Sequence, residues 1–329
     1  MKVMVSVIAP VYNEGKVIDE FARRVIDAVT PLATDYAFEL ILVDDGSKDR
    51  SLELMKKLIP HTCGLRVIEL RRNYGQTAAL QAGLDAARGE ILVTMDSDLQ
   101  HFPEEIPGFL SLLEEGYDMV CGWRQHRQEG ILRRWPSKIA NKLLCWISGL
   151  PLHDFGTTFR AYKRELTREI RLFGDSHRYI PILGSLAGAR ITELPIKNIE
   201  RPHGKSSYGI SRTLGVTLDL ILVYFLVHYL DRPLRAFGKL GLLLGGVGAA
   251  ILATLVVYAY ANNVAAVREH SGWFLVAIML LLSSLQIMLV GILAEIMIRV
   301  HYSLGDHRVY NVRQEWSSAP AESSKCVEL

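Results

Sequence analysis

Two stretches near the C-terminus, Leu240–Ala261 and Trp273–Ala294, contain no charged residue, and each is 22 residues long. A helix of that length crosses the ~30 Å hydrocarbon core of a bilayer. Lipid leaves a spanning backbone little choice but helix. A short polar stretch joins the two runs, which favours a membrane hairpin over two buried helices of a soluble core. Gly241, Gly245, Gly246 and Gly248 in the first run suit close helix packing in lipid. Arg232, Arg235 and Lys239 precede the first run, and Arg299, Arg308 and Arg313 follow the second. The connecting stretch carries only Arg268, offset by Glu269. Basic flanks stay on the cytoplasmic side, so both ends of the hairpin and the long region before it are expected there. No secretory leader is expected, because the first apolar residues run straight into Asn13-Glu14.

The chain has 329 residues, half of them hydrophobic, which fits one large domain with a membrane appendage. A net charge of +2 points to no partner class by itself, and nucleic acid is not an expected partner. Cys63, Cys121, Cys145 and Cys326 show no CxxC pairing and are expected to be reduced thiols.

The first 125 residues alternate apolar strand-like runs with helical patterns. Val3–Ala9, Phe38–Val43, Val67–Leu70, Ile91–Met95 and Met119–Gly122 read as strands, nearly continuous in hydrophobicity because both faces are covered. Helices are expected at Gly15–Val29, Ser51–Leu58, Thr77–Arg88 and Pro103–Glu115, with Gly89 closing the third as a C-cap glycine. This rhythm predicts an α/β fold, Rossmann-like, with a mainly parallel sheet and ligands at the strands' carboxyl ends. Leu214–Tyr229 is apolar but interrupted by Asp219 and His228, as in an amphipathic helix lying at a membrane interface. The expected segments are a cytoplasmic domain over 1–212, a juxtamembrane helix over 213–236, spans over 237–261 and 272–298, and a cytoplasmic C-terminal segment over 299–329. Its polar tail, from residue 315, is expected to be disordered.

The fourth strand runs into Asp96-Ser97-Asp98-Leu99-Gln100. Taken alone this is either a turn that caps the next helix or a site for a divalent cation. Hard cations such as Mg²⁺ and Mn²⁺ take oxygen ligands and share one or two carboxylates with substrate phosphates. The first strand ends in Pro10-Val11-Tyr12-Asn13-Glu14, where Asn13 is a candidate helix N-cap and Tyr12 offers a flat face to a base. The second ends in Asp44-Asp45-Gly46-Ser47. Such an acidic pair is either a capped turn or an acceptor of hydrogen bonds from a base or ribose. No GxGxxG follows the first strand, which disfavours a dinucleotide fold.

Together with Asn73-Tyr74-Gly75-Gln76, these motifs resemble the family 2 glycosyltransferases of the GT-A fold. More narrowly, the chain is similar to the polyisoprenyl-phosphate glycosyltransferases, over about residues 3–315 and with the hairpin included. The resemblance implies that Pro10, Tyr12, Glu14, Val43, Asp45, Gln76, Asp96 and Ser97 line a nucleotide-sugar pocket. It implies that Asp96, Asp98 and Gln100 surround a Mg²⁺ or Mn²⁺ ion and the sugar diphosphate, with Asp98 and Asp154 as the catalytic carboxylates. A cation there neutralises charge on the departing nucleoside diphosphate.

Arg124, Arg127, Arg133 and Arg134 lie between Trp123 and Trp135. They form either a solvated basic face or a grip on the acceptor's phosphate, since guanidinium forks match phosphate oxygens. Arg124 and one of Arg133 or Arg134 are assigned to that phosphate. Asp154 is a base, an orienting group for sugar hydroxyls or a structural cap, and His153 is expected to pack locally. Arg201-Pro202-His203-Gly204-Lys205-Ser206-Ser207-Tyr208 resembles the family's R-x-x-G-x-S-K-Y loop, which closes over the diphosphate. Here Ser207 stands in the usual lysine place, with Lys205 two residues earlier as its stand-in beside Arg201.

The reading is an inverting transferase that moves a sugar, glucose from UDP-glucose, to undecaprenyl phosphate at the cytoplasmic face of a bacterial inner membrane, working as a homo-oligomer. GDP-mannose, UDP-aminoarabinose and UDP-GlcNAc are alternative donors. A processive polysaccharide synthase is disfavoured, because Ile131 occupies the glutamine place of Gln-x-x-Arg-Trp ahead of Arg134-Trp135. An inactive scaffold is disfavoured by the intact Asp96-x-Asp98 pair.

Overall fold

The structure, a computed structural model, describes residues 2–125, 141–170, 172, 176–197, 199, 221, 223–225, 227–229, 233–262, 270–303 and 312–317. The chain forms two units, one built from Met1–Leu220 with Arg308–Leu329, the other from Ile221–His307.

The first unit is α/β. Its strands are β1 (Val3–Val11), β2 (Tyr36–Asp44), β3 (Leu65–Leu70), β4 (Ile91–Thr94), β5 (Met119–Arg124), β6 (Arg160–Lys163), β7 (Ile191–Ile196) and β8 (Val312–Ser317). They join one sheet in the order β7-β5-β6-β4-β1-β2-β3-β8. The pairs β1–β2, β1–β4, β2–β3 and β5–β7 are parallel; β6 and β8 run antiparallel to their neighbours. Alternate residues explain the continuous hydrophobicity. Leu40 and Leu42 of β2 join one core cluster, while Ile41 and Val43 join the other, so both faces are covered. On one face α1 (Ile18–Val29) buries Ile18, Phe21, Ala22, Val25 and Val29, a stripe at helical spacing. It lies with α2 (Ser51–Leu58) and α4 (Ile106–Glu114). On the other, α3 (Gln76–Ala86) packs through small residues. Shorter helices α5 (Arg164–Glu169) and α6 (Ile180–Leu186) follow later in the chain.

Three expectations change. Gly89 does not cap α3, which ends at Ala86 with Ala87 as its C-cap; the Gly89 N–H donates to the Ser6 hydroxyl (2.8 Å), and a Cβ there would lie 2.6 Å from the Ser6 nitrogen. Close backbone approach, not a helix end, demands glycine. Residues 315–317, expected in a disordered tail, belong to β8 on the β3 edge. Arg66 pairs with Glu315 (2.8 Å), Arg313 with Glu69 (2.8 Å), and Lys56 lies 3.5 Å above the Trp316 ring. Polar composition hides such a strand, because an edge strand needs only main-chain partners. Cys63 is disulfide-bonded, against the expectation of reduced thiols, while Cys121 and Cys145 are free. CxxC spacing detects only pairs close in sequence.

In the second unit α7 (Pro233–Asn262) and α8 (Ser271–Ser303) contain the two apolar runs. Both are long and apolar enough to cross a membrane. They pack on each other through Gly241, Gly245 and Gly248 of the four predicted glycines, while a Cβ on Gly246 would meet nothing within 4 Å. A Cβ on Gly241 would meet Met288, one on Gly248 would meet Leu280 and Leu281, and Ser284 Oγ donates to the Gly241 carbonyl (2.7 Å). Leu242, Val256, Met279 and Leu285 point outward and exposed. Most of the expected juxtamembrane helix lies outside the described residues.

Candidate active site

Sheet register gathers the sequence motifs. Val11 of β1 aligns with Asp44 of β2, and Ile8 of β1 with Thr94 of β4, so the segments after all three strands leave from one edge. Because β6 runs antiparallel, with Arg160 opposite Thr94, the loop that precedes β6 arrives at that same edge. Cys121 also faces Arg160, which brings the end of β5, and hence Arg124, alongside.

Asp45 is buried, and its two carboxylate oxygens accept the N–H groups of Tyr74 (2.7 Å) and Gly75 (2.9 Å). Burial pushes the Asp45 carboxyl up, and the two N–H groups oppose this. Asp44 is raised as well, again mainly by burial, and accepts the Ser47 N–H. Between them and the 72–73 backbone there is no room for a side chain on Gly46, whose φ of 70° also favours glycine.

Asn13 is not the N-cap of α1, which begins at Ile18 behind Val17. Its N–H donates to Ser47 Oγ (3.0 Å) and its side-chain oxygen accepts the Lys48 N–H (2.8 Å). The residue therefore staples the β1 loop to the β2 loop. Glu14 N–H donates to Ser51 Oγ (2.8 Å) and Gly15 N–H to Asp49 (3.0 Å). Burial opposes it, yet hydrogen bonds from Ser51 and Gly15 hold the Asp49 carboxyl below the usual range. Tyr12 is 42% exposed beside these loops, with its ring available to a ligand.

The Asp96–Gln100 turn is tied in from both sides. Gln76 Nε2 donates to Asp96 Oδ1 (2.7 Å), and Ser97 Oγ donates to the Pro10 carbonyl (2.9 Å). Asp98 Oδ1 accepts the Gln100 N–H (3.1 Å), and Leu99 takes φ 61° to make the turn. The Gln100 carbonyl accepts the Ile199 N–H (3.2 Å). Asp96 and Asp98 are half-buried. Among the described residues no three His, Cys, Asp or Glu side chains gather as a complete protein cage. Two carboxylates and an amide carbonyl are the donor set by which a hard cation is held jointly with substrate phosphates, so the residues fit such an ion.

Opposite, Arg124 forks onto Asp154, with Nε to Oδ2 at 2.7 Å and Nη2 to Oδ1 at 3.1 Å. Asp154 is buried, and its Oδ1 also accepts the Gly156 N–H (3.0 Å). His153 stacks on Trp123 at 4.1 Å and meets Glu193 (2.8 Å).

Sequence reasoning passed over His101. It is buried next to Gln100, and its pKa is pushed down to about 4 by burial and by the Arg124 guanidinium, against the pull of Asp98 and Asp154. The imidazole is therefore neutral at pH 7. No periodicity marks a lone histidine before Phe102-Pro103, so only the fold reveals it. Arg133, Arg134, Arg201 and Lys205 lie outside the described residues.

The Glycosyl transferase family 2 profile matches residues 6–171. The chain is 40% identical over 316 residues to the dodecaprenyl-phosphate galacturonate synthase of Rhizobium johnstonii, covering 94% of this chain and 92% of that protein. It is 33% identical to the undecaprenyl-phosphate 4-deoxy-4-formamido-L-arabinose transferase of Pseudomonas paraeruginosa, covering 97% and 92%. Among solved structures it shares its fold with glucosyl-3-phosphoglycerate synthase from Mycobacterium tuberculosis in complex with Mn²⁺ and UDP-glucose. There the TM-score is 0.52 at 22% identity, over 68% of this chain and 79% of that one. With the profile spanning the β1–β6 core and relatives aligned across nearly the whole chain, this protein belongs to glycosyl transferase family 2.

Proposed function

We propose that this family 2 glycosyltransferase moves a sugar from a nucleotide donor to polyprenyl phosphate, with inversion, at the cytoplasmic face of a bacterial inner membrane. The observation that carries the reading is the Asp96–Gln100 turn, set between the Asp45 loops and the Arg124–Asp154 pair on one sheet edge. The two full-length relatives named above carry a polyprenyl-phosphate acceptor in their names, and the apolar pair α7 and α8 supplies a membrane anchor.

Tyr12 stacks on the base while Asp45, with Pro10, Glu14, Val43 and Gln76, shapes the nucleoside pocket. Asp96, Asp98 and Gln100 would hold a Mg²⁺ or Mn²⁺ ion, which when bound neutralises charge on the leaving diphosphate. The acceptor phosphate is already anionic and needs no general base at neutral pH. The protein's work is therefore positioning and charge compensation. Arg124, with Arg133 or Arg134, is assigned to the acceptor phosphate, and Arg201 and Lys205 are assigned to the diphosphate. Asp154 holds Arg124 in place, a reading supported by their two-point pairing. The active form is a homo-oligomer.

The donor proposed is UDP-glucose, by resemblance to the two-span bacterial branch. The relatives are named for galacturonate and formamido-arabinose, which makes their UDP-sugars the rival probes. The test is a screen of those three donors with membranes containing the full chain, Mg²⁺ or Mn²⁺, and undecaprenyl phosphate, read by mass of the lipid product. A hexose adduct formed from UDP-glucose supports the full reading. A product from a rival donor alone replaces the sugar, and no lipid-linked product from any donor overturns the acceptor.

A further inference from the structure

We propose that Arg160 is a positioning residue for sugar transfer, setting the spacing between the Asp154 loop and the turn that opens α3. The inference rests on the transfer reaction proposed above.

Arg160 opens β6, the strand between β4 and β5. It is 1% exposed, among the largest fully buried side chains of the protein. A guanidinium is always charged, and burying an ion costs several kcal/mol even after relaxation. Among the described residues no carboxylate pairs with it. Its Nη2 donates to the Phe155 carbonyl (2.7 Å), its Nη1 donates to the His177 carbonyl (2.7 Å), and its Nε has no partner. Cys121 and Tyr162 face it, both pushed up by burial and both neutral. An apolar side chain of similar volume fills such a space at lower cost. What it cannot do is fork onto two carbonyls.

Those carbonyls belong to different sides of the site. Phe155 follows Asp154, the residue gripped by Arg124. His177 continues through its Nδ1 to the Thr77 hydroxyl (2.7 Å, buried). Thr77 follows Gln76, whose amide donates to Asp96. A connected path therefore runs from Asp154 through Arg160, His177 and Thr77 to Gln76 and Asp96. Displacement at either end changes the separation of the groups that hold donor and acceptor. Transfer depends steeply on that separation.

The experiment compares the full chain in membranes with Arg160→Lys, Thr77→Val, Thr77→Ser and the Arg160→Lys/Thr77→Val double variant. Donor and acceptor KM are measured separately from kcat, together with the thermal midpoint. Arg160→Lys is expected to lower kcat by about tenfold and Thr77→Val by about threefold, with both KM values within about twofold. Thr77→Ser keeps the hydroxyl and restores kcat. The double variant is no worse than Arg160→Lys alone, because both changes break one link. Wild-type kcat in Arg160→Lys, or single losses that multiply in the double, overturns the proposal. If Arg160→Lys does not fold, the threonine pair decides: equal kcat in the valine and serine variants overturns it, and loss with rescue supports it. A wild-type chain inactive with every donor counts against the transfer reaction itself.

Discussion

On the β2 side of the site Asp45 is held by two backbone N–H groups, whereas on the β5 side Asp154 takes the fork of a guanidinium beside one backbone N–H, that of Gly156. Both carboxylates are buried. Neutral donors leave Asp45 with its full charge in a buried place, and its pKa rises accordingly. Arg124 offsets the charge of Asp154, which also accepts the Gly156 N–H, but the cationic partner is a single side chain. The difference follows from what lies within reach. The β2 loop meets the main chain at 73–75, where the turn presents N–H groups; the β6 loop meets the end of a strand, where side chains project. A site half built from backbone tolerates substitution around it, while a half built from a charge pair fails when one partner is lost.

The largest effect expected from breaking this contrast is in Arg124→Met, which takes the two-point cationic partner from a buried carboxylate and lowers stability by about 3–5 kcal/mol. The thermal midpoint of the detergent-solubilised protein reports it. Adding Asp154→Leu is expected to return much of the stability without restoring transfer; a double variant as unstable as the single one contradicts the charge-pair account. Asp98→Asn touches the turn shared by both sides. It is expected to cut turnover by about 10²–10³-fold with little change in melting, and undiminished turnover removes Asp98 from the proposed cation site.

A smaller effect is expected on the backbone-held side. Asp45→Asn keeps one acceptor and turns an amide N–H toward a second donor, for a loss of about 1–3 kcal/mol. The pH dependence carries a definite sign. The folded protein favours the protonated form of Asp45, so wild-type stability falls as pH rises through its raised pKa, and the deficit of Asp45→Asn narrows over that range. Melting curves from acid to neutral pH check this, and a widening deficit reverses the assignment. The least sensitive contact is at the β8 edge. Glu315→Gln weakens a half-exposed pair while Arg66 keeps its bond to Glu39 (3.0 Å), so about 0.5 kcal/mol is at stake.

Much of this molecule is legible residue by residue. The five predicted strands and four predicted helices lie where hydrophobic period and turn residues indicate, with ends moved by a few positions. The Asp44-Asp45, Gln76 and Asp96–Gln100 motifs fall at carboxyl ends or helix starts, because apolar runs locate strands and motifs follow them directly. The errors share one character. Asn13 looks like a cap until the neighbouring loop supplies its partners. Gly89 looks like a helix end until Ser6 is seen against it. His101 and Arg160 carry no sequence signal, since a buried polar residue is recognised only by what surrounds it.

The order of residues by itself determined the α/β rhythm, the acidic turns and the two apolar helices, because each depends on the burial or solvation of neighbours along the chain. Only the tertiary structure decided that β6 enters the sheet antiparallel and delivers Asp154 and Arg160 to the edge that holds Asp45 and Asp96. It also decided that β8 closes on β3 after the long apolar helices. Strand order and register are set by which distant segments pair, and a local pattern of hydrophobicity carries no record of that choice.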